Sequence, residues 1–106
     1  MFRTDENKIY LTRGNTAQFR PVIEDYTATE EDKVVFAVKK TVLDSAPIIR
    51  KEVAAGENIA LAADDTSSLT TGSYLYDITL ITAEGDKSTF ASGVLILEGD
   101  LDNERN

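Results

Sequence analysis

A chain of 106 residues, 42% apolar and 28% charged, is long enough for one domain with one core and too apolar for a disordered segment. Its net charge of −8 argues against nucleic acid or an anionic membrane as partner, because Lys and Arg neutralising phosphates dominate both kinds of binding. Histidine, cysteine and tryptophan are absent, which removes the commonest general base, the best nucleophile, the soft metal ligands and any disulfide.

The N-terminus, MFRTDENK, has no apolar stretch of the kind a signal peptide needs, so the expected location is the cytoplasm of the cell that makes it. No apolar run approaches the roughly 18 residues of a membrane span. The first predicted strand is 8–12 (KIYLT), followed by a turn at Thr12-Arg13-Gly14-Asn15, where Gly and Asn tolerate positive φ. A second strand covers 16–24, with Ala17, Phe19, Pro21 and Ile23 on one face. Pro21 cannot donate to a ladder, which places that strand at an edge or a bulge. Residues 25–32 (DYTATEED) read as an acidic loop.

From Lys33 to Lys40 the alternation turns Val34, Phe36 and Val38 inward and Val35, Ala37 and Lys39 outward. A loop at 43–47 leads to a strand at 48–53, a turn at Ala54–Glu57 and a strand at 58–63. Asp64 to Leu69 reads as one helical turn, with Asp64 or Asp65 as the N-cap acceptor and Leu69 reaching the core. Gly72 to Leu97 then forms a long hairpin around the turn Ala83-Glu84-Gly85-Asp86. Tyr74, Tyr76, Ile78 and Leu80 share the buried face of its first strand. Phe19 and Phe36 complete the expected structural core. About seven short strands at regular spacing, with one helical turn, argue an all-β sandwich over residues 1–97, followed by an acidic, frayed tail at 98–106.

Four kinds of site deserve weighing. The spacing Gly72-x-Tyr74-x-Tyr76 resembles the corner of immunoglobulin-like domains, where a tyrosine bonds back to the backbone just upstream. Tyr74 would be that tyrosine, and Tyr76 stands where antibody-type domains carry a cysteine. The acidic loops, Glu30-Glu31-Asp32, Asp64-Asp65 and Glu84 with Asp86, lack the interleaved acids and sharp-turn glycine of a calcium loop, so solvated loops and helix capping are expected. Asp77 and Glu52 are outward strand carboxylates with no partner constellation for glycosidase chemistry. No catalytic, metal or cofactor-binding residue is assigned. If the strands at 33–40, 73–82 and 88–97 share one sheet, Val35, Leu75, Ile81 and Leu95 become an outward apolar stripe suited to docking a protein.

The order of motifs resembles a family of small phage and prophage proteins of Gram-positive bacteria. Leu11-Thr12-Arg13-Gly14-Asn15-Thr16 matches its L-x-R-G-[DN]-T turn, and Val34 to Lys40 its strand ending in V-K-K. Pro47 to Val53 matches P-[IL]-I-x-K-x-[IV]. Asp65 to Leu69 and Gly72 to Ile81 match D-T-x-x-L followed by G-x-Y-x-Y-D-I-x-L-I. The chain is similar over nearly its whole length to the N-terminal domain of siphophage baseplate upper proteins. That resemblance implies an immunoglobulin-like antiparallel β-sandwich, a non-catalytic structural or interaction role in tail or baseplate assembly, and other phage structural proteins or further copies of itself as partners, in the virion. The alternative is a carbohydrate- or small-ligand-binding module using Tyr10, Tyr26 or Tyr76 as an aromatic platform.

Overall fold

The described residues, 8–21, 31–41 and 46–99 and the backbone of 2–5 of a computed structural model, form eight strands and one helical turn. The strands are β1 (Phe2–Asp5), β2 (Lys8–Thr12), β3 (Ala17–Phe19), β4 (Lys33–Lys39), β5 (Ile49–Ala54), β6 (Ile59–Leu61), β7 (Gly72–Ile81) and β8 (Lys87–Glu98). The helical turn, α1 (Ala63–Thr66), lies between β6 and β7. The protein is therefore all-β. Among the described residues no helix is long and apolar enough to cross a membrane.

Six strands form one sheet in the order β1-β2-β8-β7-β4-β5, and β3 pairs with β6 in a second, two-stranded sheet. The large sheet is mixed rather than purely antiparallel, because β2 runs parallel to β8, Ile9 opposite Leu95 and Leu11 opposite Leu97. Parallel pairing is available here because β2 and β8 are far apart in sequence, so no tight turn has to join them. The segment before Lys8, not expected to pair, forms β1 antiparallel to β2. Of the expected strand 16–24, the ordered ladder covers only Ala17–Phe19, and residues 22–24 lie outside the described part. Residues 100–106 of the tail lie outside it too, while Glu98 closes β8.

One core joins the two sheets. Phe36, Val38, Ile59, Leu61, Leu11 and Leu97 are each at most 2% exposed. Tyr74, Tyr76, Ile78 and Leu80 are buried among them, and Phe19 packs against the cluster from β3. The rings of Phe19 and Phe36 meet edge to face with centroids 5.2 Å apart, the geometry their quadrupoles favour. The Tyr76 ring is also beside Phe36, with centroids 5.9 Å apart. Burial raises the Tyr76 hydroxyl above its ordinary 10.0. Because the folded value is the higher one, the stability tied to it is complete below pH 10 and is lost as the pH rises further.

The turns follow the local chemistry. Asn15 N–H donates to the Thr12 carbonyl at 3.1 Å around Gly14, whose φ of 81° would strain a residue with a β-carbon. In the β7–β8 hairpin, Gly85 (φ 92°) donates to the Thr82 carbonyl at 2.9 Å, and the Asp86 N–H donates to Thr82 Oγ1 at 3.1 Å.

The β7–β8 register contains one irregularity that decides which residues face out. Ile81 pairs with Lys87 and Thr79 with Thr89, but Ile78 pairs with Ala91, leaving Phe90 as an extra residue on β8. An uninterrupted hairpin would set Leu95 opposite outward-facing Ser73. The bulge sets it opposite Tyr74 instead, 1% exposed and in the core. Leu95 therefore does not belong to the outer stripe expected from the alternation. Steric fit favours the observed register: Gly93 faces Tyr76, Ala91 faces Ile78, and Leu97 faces Gly72, so each bulky residue has a small one across from it. Without the bulge, the Ser92 hydroxyl would be turned into that apolar layer.

Leu95→Ala is expected to lower unfolding free energy by about 2–5 kcal/mol, and Val94→Ala by less than about 1 kcal/mol. Urea denaturation of the two variants checks this; comparable losses at both positions would contradict the register.

Candidate interaction face

The outward surface of the six-stranded sheet is a grid of cross-strand rows. Lys8, Val94, Leu75 and Lys39 form one row, with Val94 opposite both Lys8 and Leu75. Tyr10, Ile96 and Ser73 form the next, and Ser92, Asp77, Ala37 and Arg50 lie on the other side. Leu75, Val94, Ile96, Tyr10 and Ala37 are all half-buried rather than covered. An open depression of about 500 Å³ lies over this region, lined by Ala37, Lys39, Thr41, Leu75, Asp77 and Val94. It is continuous through Thr41, Leu75 and Val94 with a shallower one of about 330 Å³ that reaches Lys40 and Ser73.

The four residues expected to form the stripe are not brought together. Leu75 lies at the centre of the depression. Val35 stands between Glu52 and Thr79 on the same face, but at 7% exposed its neighbours cover it. Ile81 is half-buried at the other end of β7, six residues and roughly 20 Å from Leu75. Leu95 is in the core. Val94 and Ile96 take its place on the outer face, a swap the run Val94–Leu97 hides because every position in it is apolar.

One end of this face is braced by a corner that joins motifs distant in sequence. The Tyr74 hydroxyl donates to the Thr70 carbonyl at 2.6 Å, bonding back across the turn into β7. Lys40 Nζ donates to the Ser73 carbonyl at 3.0 Å and lies 4.4 Å from the centroid of the Tyr74 ring, a cation–π contact at the rim of the depression. Thr66, fully buried at the end of α1, accepts a hydrogen bond from the Gly14 N–H at 2.8 Å. Arg13 bridges the same region, its N–H to the Glu98 carbonyl at 2.8 Å and its guanidinium to the Leu69 carbonyl at 3.4 Å. The Arg-Gly turn and the helical turn, 52 residues apart at Gly14 and Thr66, are thus one structural unit.

Two of the acidic loop candidates, Asp65 and Asp32, have structural employment. The N-cap of α1 is Ala62 rather than Asp64 or Asp65; Asp65 acts from the first turn, accepting the Ala62 N–H at 2.7 Å and pairing with Lys51 at 3.0 Å. Ala62 has no side-chain acceptor, so the carboxylate reaches back to the cap from inside the helix. Asp32, 3% exposed, accepts the Ala83 N–H on Oδ1 at 3.1 Å, and its carbonyl accepts the Ala55 N–H at 2.9 Å. It ties the entry of β4 to two turns, a role the acidic run did not disclose. Glu84 and Asp86 are exposed at the hairpin tip, and Glu30 lies outside the described residues. Among the described residues no group of three or more metal-ligating acids converges. Asp77 is exposed in the depression, and Glu52 pairs with Arg50 at 3.1 Å. Of the candidate aromatic platform, Tyr76 is in the core, Tyr10 is half-buried beside Ile96, and Tyr26 lies outside the described residues.

No protein-family model and no curated protein matches this chain. Replacing Thr66 with Val leaves the Gly14 N–H without its acceptor, and is expected to cost about 1–3 kcal/mol of stability. Tyr74→Phe, which removes the hydroxyl's bond to the Thr70 carbonyl and its 3.3 Å contact with Thr70 Oγ1, should cost about 1 kcal/mol. Thermal or urea unfolding of both variants measures the two terms; a neutral Thr66→Val would show that the two turns are not energetically joined.

Proposed function

We propose that this chain is an immunoglobulin-like β-sandwich acting as a non-catalytic protein-interaction module, of phage or prophage origin and working in tail or baseplate assembly. The observation that carries the docking role is the half-buried apolar cluster of two adjacent cross-strand rows, Leu75 with Val94 and Ile96 with Tyr10, beside an open depression on the outer sheet. A broad, shallow, partly apolar surface rimmed by polar groups suits a protein partner better than a small molecule, which needs enclosure.

Two features support the immunoglobulin-like reading. The order β8-β7-β4-β5 with β3 paired to β6 corresponds to the G-F-C-C′ and B-E neighbours of variable-type domains. The Tyr74 hydrogen bond to the Thr70 carbonyl corresponds to the tyrosine corner of that fold. The phage assignment rests on the ordered sequence motifs, and genes for tail proteins flanking this one would strengthen it.

The test is affinity purification with chemical cross-linking from the native host lysate, comparing wild type with Leu75→Asp and with Gln18→Asp on the opposite sheet. Wild type and Gln18→Asp are expected to retain the same protein partners, and Leu75→Asp to lose them, with circular dichroism unchanged in all three. Partners retained equally by Leu75→Asp would overturn the assignment of this face. Selective retention of glycans through Tyr10 would favour the ligand-binding alternative.

A further inference from the structure

We propose that the outer depression takes the acidic β7–β8 hairpin tip of a second copy of this chain, so that copies associate head to tail. The inference rests on the reading of the Leu75 face as a protein-docking surface and names its occupant. The two ends of the large sheet differ in charge. At the depression, Lys8, Lys39 and Lys40 surround Leu75 and Val94; Asp77 is the acidic side chain among the described lining residues, and Asp5 stands opposite Lys8 in the ladder. At the other end, Asp32 holds the start of β4 against the β7–β8 turn and the β5–β6 turn. That gathers exposed Glu31, Glu57, Glu84 and Asp86 together, against Lys33 and Lys87 at the strand ends.

Shape agrees with charge. Every residue from Ala83 to Asp86 is exposed, so the tip is a narrow convex element, whereas the depression is an open concave one of about 500 Å³. Leu75 and Glu84 are nine residues apart along one hairpin arm, roughly 30 Å, so a copy cannot fill its own depression with its own tip. The contact is therefore intermolecular and heterologous. Each added copy leaves one depression and one tip open, and the assembly grows with concentration unless its rotation closes a ring. Carboxylates meeting lysines at a partly exposed rim make the contact sensitive to salt.

Light scattering on the full chain across a concentration series tests this, at about 0.05 M and about 0.5 M NaCl, either side of the salt range over which surface charge is screened. The average mass is expected to rise with concentration at low salt and to fall at high salt. Leu75→Asp, with its tip intact, and the double variant Glu84→Lys/Asp86→Lys, with its depression intact, should each associate at least about tenfold more weakly, a loss in keeping with introducing like charges into a contact. An equimolar mixture of the two variants should regain association but stop at a pair, since one intact tip meets one intact depression and nothing is left to extend. Growth of the tip variant alone to wild-type mass would mean face-to-face pairing, overturning the hairpin as occupant while leaving the docking face standing. A wild-type monomer at every concentration would overturn self-association, and the cross-linking comparison above would then judge the face on its own.

Discussion

One extra residue in β8 governs how this sheet is divided between core and surface. With Phe90 accommodated as a bulge, Ala91, Gly93, Leu95 and Leu97 face in and Val94 and Ile96 face out. The choice propagates, because β2 lies parallel against β8 and inherits its parity: Ile9 and Leu11 go to the core beside Leu95 and Leu97, and Lys8 and Tyr10 to the outer face. Burying an aliphatic side chain of this size is worth about 1.5–3 kcal/mol. Four such residues therefore weigh heavily in a domain whose net stability is of order 5–15 kcal/mol. The volume match across β7, glycine opposite tyrosine and leucine opposite glycine, gives that register its advantage over a slipped one.

The corner beside the depression applies a second constraint. Tyr74 is held both by its core packing and by the Thr70 carbonyl, which fixes the entry of β7 and hence the direction in which the neighbouring Leu75 points. Thr66, Gly14, Arg13 and Leu69 lock the helical turn to the β2–β3 turn. Lys40, just past the end of β4, sets its ammonium group over the ring. A rigid corner of this kind presents a surface with little conformational entropy left to lose on binding.

Charge is distributed along the sheet rather than spread evenly. A chain of net charge −8 still sets three lysines around its outer apolar row, while carboxylates collect around Asp32 at the far end. Net charge bears on the bulk partner class, disfavouring phosphates. The placement of individual charges bears on which protein surface is complementary.

Much of the fold was legible in the residues. Alternation in Lys33–Lys39 and Gly72–Ile81 placed Phe36, Tyr74, Tyr76, Ile78 and Leu80 inward, and Gly14 and Gly85 marked two turns where positive φ is needed. Those are local signals, carried by side-chain period and backbone sterics. The parity of Val94–Leu97 was not legible, since four consecutive apolar residues satisfy either face. Nor were the parallel docking of β2, the burial of Asp32 or the meeting of Arg13-Gly14 with Thr66, each of which joins segments far apart in the chain. The sequence by itself determined that this is an all-β chain with a tyrosine-rich core, because period and composition act residue by residue. Only the tertiary structure decided which apolar residues remain on the outer face, because that depends on a register set by packing across strands.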